Sequence, residues 1–100
     1  MIILKNLTEA EHTFFSRINT LLKYRIAIGR VKTLAEAADY VLNKYFERLP
    51  EYGEWDEWEH REHVREVFNE QNLERAFQEV QFMDTEKKET FIFEIEGYHL

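Results

Sequence analysis

Four side chains between positions 57 and 63 have the types and the spacing that a metal site uses. Glu57, His60 and His63 recur at i, i+3 and i+6, and Glu59 lies four residues before His63. On a helix, residues three and four apart share a face and can share an ion. The stretch stops short of a zinc signature, because the His-Glu-x-x-His order is missing and no remote ligand set accompanies the pair. The two histidines therefore read as surface residues of an acidic helix. No metal or other cofactor is expected.

Catalysis by paired carboxylates requires one of them to be desolvated so that its pKa rises. Here the carboxylates follow one another in a dense, hydrated series. No Ser/His/Asp set, glycine-rich phosphate loop or arginine clamp stands out, and the chain has no cysteine. The last fact excludes disulfides, thiolate nucleophiles and Cys-ligated metal sites. A chain of 100 residues that must also build a core has little room for a deep pocket. These residues point away from an enzyme.

The stretch 51–59 points instead to recognition. It carries Glu51, Glu54, Asp56, Glu57 and Glu59 around Tyr52, Trp55 and Trp58, with no cation among them, and Glu62 and Glu66 continue the acidic series. Aromatic side chains rimmed by charge are the usual anchors of a protein interface. On that reading the chain is a protein-binding module, a small acidic inhibitor or adaptor that docks on a basic or nucleic-acid-binding surface of its partner. Its composition is analogous to that of phage and mobile-element proteins that disarm host nucleases. A second reading has the rows Glu51, Glu54, Glu57 and Glu59, Glu62, Glu66, Glu70 imitate a phosphate backbone. A third has both tryptophans cap the ends of the core while the carboxylates keep the surface soluble. The sequence leaves all three open.

Charge is divided unevenly. Residues 1–50 hold eight Lys and Arg against five Asp and Glu, whereas residues 51–100 hold five against fifteen, within a net charge of −7. Between His12 and Ala35 there is no carboxylate, but there are Arg17, Lys23, Arg25, Arg30 and Lys32. Such a bipolar chain can pair head to tail as a homodimer or offer its acidic side to a basic partner. A hydrophobic fraction of 44% with 15% aromatics supports one packed domain over residues 1–100. Met1-Ile-Ile-Leu is too short for a signal-peptide core, and no apolar run has the length of a membrane span. A soluble cytoplasmic protein without a membrane partner is expected.

The elements that position these groups follow from periodicity and caps. Met1–Leu7 reads as a short buried strand. Thr8 and Glu11 have capping-box spacing and open a helix with Ala10, Phe14, Ile18, Leu21, Leu22, Arg25 and Ile28 on one stripe, closed by Gly29. Thr33 and Glu36 repeat the pattern for a second helix, whose stripe is Leu34, Ala37, Ala38, Val41, Leu42, Tyr45, Phe46 and Leu49 and which ends before Pro50. Asp56 caps a third helix. Val64, Val67 and Phe68 on one face, and Leu73, Ala76, Phe77 and Val80 on another, predict a break at 69–72, with Asn72 a suitable cap. Phe91, Phe93 and Ile95 fall on one side of an extended chain and Glu94 and Glu96 on the other, which predicts a strand over 90–96 that pairs with the N-terminal one or, across a dimer, with its own copy. The expected fold is α+β and mainly helical: about four helices packed on a small two-stranded sheet formed by the N- and C-terminal strands.

The strand, helix, tight link and second helix of residues 1–49 resemble the ribbon-helix-helix repressors and antitoxins. That resemblance implies a dimeric DNA-binding regulator whose strand alternates base-reading residues with core residues. Met1–Leu7 offers Lys5 and Asn6 for the reading role. Lys23, Arg25, Arg30 and Lys32 form a cationic cluster of the kind that contacts phosphates. The acidic half then serves as an effector or toxin-binding module.

Overall fold

The computed structural model of the chain describes residues 8–48 and 55–98. Among them it has five helices, α1 (Glu9–Ala27), α2 (Leu34–Glu47), α3 (Glu57–Val67), α4 (Glu70–Gln81) and α5 (Thr85–Glu96), and no strand. The α+β expectation is therefore corrected to an all-helical arrangement. Residues 90–96 lie in α5. The strand expected at Met1–Leu7 lies outside the described residues.

The local rules for helix ends hold at every start. The Thr8 hydroxyl accepts from the Glu11 amide at 3.2 Å, while the Glu11 carboxylate accepts from the Thr8 amide at 3.4 Å. Thr33, Asp56, Asn69 and Asp84 cap α2, α3, α4 and α5 in the same way, each accepting from the amide three residues on. At the end of α1, Gly29 takes φ 76°. In that left-handed conformation the Arg30 amide reaches back to the Arg25 carbonyl at 2.9 Å. The break between α3 and α4 falls at Phe68–Asn69, with Asn69 as the cap in place of Asn72. Asn72 is buried instead, and its side-chain amide donates to the Val67 carbonyl at 2.7 Å. That bond satisfies one of the carbonyls left open where α3 stops.

α1 is the central element and packs against α2, α4 and α5; α2 in turn packs against α3 and α4. The core collects Phe15, Ile18 and Leu22 of α1 with Ala37, Val41 and Tyr45 of α2, and Val64, Val67, Leu73 and Ala76 of α3 and α4, with Phe68 between those two helices. Phe15 stacks on Tyr45 at 5.8 Å with an 8° tilt and meets Phe68 edge to face. Of the predicted stripes, Ala10 and Ala38 are exposed while Phe15 turns inward. No helix among the described residues is long and apolar enough to cross a membrane.

α5 shows why the strand expectation failed. Phe91, Ile92 and Ile95 cluster at helical spacing on the inward side, and Ile95 is buried. Phe93, the middle member of the supposed alternation, is 78% exposed. The Asp84 carboxylate accepts from the Lys87 amide at 2.8 Å. From there to Gly97 no glycine or proline interrupts a run that begins with the strong helix formers Glu86, Lys87, Lys88 and Glu89. The cap was the legible signal.

Candidate functional site

α3 starts where Asp56 turns its carboxylate onto the Glu59 amide at 2.8 Å. That cap fixes the rotation of the helix. At 100° per residue, His60, Val64 and Val67 share the buried side and Trp58 falls roughly 160° away from their mean direction. The structure agrees: those three are buried and Trp58 is 67% exposed. An indole placed there contributes little to the core.

The two tryptophans thus part company. Trp55, 39% exposed, lays its ring against His60 at 5.4 Å and His63 at 5.1 Å. Trp58 projects from the outer face of α3, with Glu62 one turn and Arg65 two turns further on.

The carboxylates around it are in several states. Asp56 is committed to the cap. Glu57 accepts from Arg61 at 2.8 Å and Glu62 from Arg65 at 2.9 Å, both exposed pairs within the helix. Glu59 and Glu66 are exposed and make no ion pair among the described residues. Arg61 and Arg65 thus each pair with one carboxylate of the acidic rows. Glu51, Tyr52 and Glu54 lie outside the described residues.

Beneath this surface the histidines depart from expectation. His60 is buried rather than on the surface, and its Nδ1 lies 2.7 Å from the hydroxyl of Tyr45, a fully buried residue of α2. His63 packs edge to face on Phe15 at 5.3 Å, and its Nε2 lies 3.5 Å from a Glu11 carboxylate oxygen. The signal for inward placement was available: His60, Val64 and Val67 recur at helical spacing, and His63 precedes Val64 on the same flank. Both histidines tie α3 to α1 and α2 by ring contacts and polar bonds. Among the described residues, no group of three or more His, Asp or Glu could hold a metal ion.

The cationic cluster of the first half is also dispersed. Lys23 meets Glu79 of α4 at 3.2 Å, and burial lowers its pKa even with that carboxylate beside it. Arg25 lies over the Tyr40 ring, 5.6 Å from its centroid. Arg30 and Lys32 are exposed. Two of the four are therefore engaged by side chains of this chain.

Sequence reasoning missed three further exposed aromatics, Phe82 at the end of α4, Phe93 on α5 and Tyr98 just beyond it. Once α5 is a helix, Phe93 stands on its outer side among Glu86, Glu89 and Glu94, an arrangement close to that of Trp58. Comparison of the chain with protein-family models, curated proteins and solved structures gave no match.

Proposed function

We propose that the chain is a non-enzymatic protein-binding module, an acidic inhibitor or adaptor, and that the outer face of α3 is its contact surface. The observation that carries this reading is Trp58, an indole presented away from the core on a capped helix, with Glu59, Glu62 and Glu66 around it. A large rigid aromatic left in water is a cost to the monomer that a complementary pocket on a partner would offset. The carboxylate rim favours a partner with a basic surface and would speed encounter with it. The arginines within α3 favour an aromatic anchor over a continuous phosphate-like row.

The test is affinity capture with the full chain against its Trp58→Ala variant, followed by titration of the recovered, purified partner. The expected partner is basic, shifts the tryptophan emission of the full chain, and binds Trp58→Ala at least tenfold more weakly, the order expected of an anchor residue. A partner that binds both forms equally would refute the assignment of this surface. Co-elution of the chain with a short DNA duplex, reversed by salt and abolished by Arg30→Gln plus Lys32→Gln, would establish the regulator reading instead.

A further inference from the structure

A cleft of about 690 Å³ lies between α1 and the far end of α5, with the end of α2 at its border. That volume is in the range of small-molecule sites. Its floor is apolar, made by Leu21 and Ile95, both buried, with exposed Tyr98 beside them. Its charged side chains are Arg17 of α1 and Arg48 at the end of α2. Among the described residues no Asp or Glu lines it, although the chain has 20 of them. Neither arginine forms an ion pair among the described residues. Glu96, at the same end of α5, accepts from the Tyr24 hydroxyl at 3.0 Å.

A described lining with two arginines and no carboxylate, in so acidic a protein, favours negative charge. Two exposed arginines in the lining of a cleft with an apolar floor match a molecule with an anionic head and an apolar body. We propose that this cleft binds an organic anion of that class, a carboxylate or sulfonate on an aromatic or short alkyl body, with Arg17 and Arg48 holding the head group and Leu21, Ile95 and Tyr98 the body. The site is separate from the α3 surface and does not depend on it.

The test uses two fluorescent probes on the full chain. One is 8-anilinonaphthalene-1-sulfonate; the other is N-phenyl-1-naphthylamine, which has the same rings without the sulfonate. The sulfonate should bind saturably at one site, and Arg17→Gln and Arg48→Gln should each weaken it by about tenfold, as expected for loss of one charge-assisted contact. The neutral probe should change by less than about twofold in the same variants, and Arg17→Lys should retain most of the sulfonate binding. Trp58→Ala and Phe93→Ala should leave both probes unaffected. Absence of saturable sulfonate binding, equal binding by the double glutamine variant, or loss of binding in the Trp58 or Phe93 variant would each overturn the proposal. Parallel loss of both probes in the glutamine variants would also overturn it, because the arginines would then be shaping the cleft rather than holding the anion.

Discussion

Replacing Tyr45 by Phe removes one oxygen from the centre of the molecule and little else. The ring should keep its stacking on Phe15, and the cavity created is smaller than a methyl group. The 2.7 Å bond to His60 Nδ1 is lost. Tyr45 is 0% exposed and His60 6%, so solvent has little access to take over the vacated position. A buried polar atom deprived of its partner costs about 1–3 kcal/mol. We take a value near 2 kcal/mol, which for a domain of this size lowers Tm by roughly 8–15 °C. Thermal unfolding followed by far-ultraviolet circular dichroism measures it. In a His60→Ala background the same change should cost at least about 1 kcal/mol less, because that bond is already absent. A Tm within 2 °C of the parent, or equal losses in both backgrounds, would refute the view that this bond fastens α3 to α2.

Other expectations follow from the same geometry. Trp58→Ala should leave stability within about 0.5 kcal/mol, whereas Trp55→Ala should lose about 1–2 kcal/mol with its two histidine ring contacts, both read by urea unfolding. Asn69→Ala removes the α4 cap and should cost about 1 kcal/mol by the same assay. Gly29→Ala meets no atom within 4 Å but must hold φ 76°, so about 1 kcal/mol of backbone strain is expected without a steric clash. Burial raises the Tyr40 phenol above its ordinary pKa of 10.0, against an opposing effect of Arg25. A folded-state value above the unfolded one gives stability that is complete below pH 10 and lost as pH rises through the higher value. Tyr40→Phe should therefore lose less Tm than the parent between pH 8 and pH 11.

What could be read from the sequence was whatever local chemistry decides. Thr8, Thr33 and Asp56 announced their helices because a side-chain oxygen three residues before an unpaired amide has one good use. Gly29 announced the end of α1 for a similar reason. The break between α3 and α4 was legible because the buried faces on its two sides could not lie on one straight helix. α5 was misread because Phe91, Phe93 and Ile95 satisfy a period of two while Phe91, Ile92 and Ile95 satisfy a helical one, and the local signal that separates the two is the Asp84 cap some seven residues upstream. The histidines were misjudged by their acidic neighbours, although His60 stood in register with Val64 and Val67. Whether a tryptophan faces inward depends on helix rotation. Trp58 could be placed only once the α3 cap had been fixed.

The way α5 is attached has a consequence for how the molecule moves. Its main neighbour among the described helices is α1; Ile95 is its one buried side chain, and Tyr24 donates to Glu96 across the contact. α1, by contrast, is gripped by several helices. An element with so small a share of the core can detach while the rest stays folded, as a sub-global opening of low free energy. Amide protons of α5 should then exchange with deuterium well before those of α1 and α2. Because α5 forms one wall of the cationic cleft, each such opening dismantles the cleft. A bound anion would slow exchange in a helix whose outer face it never touches.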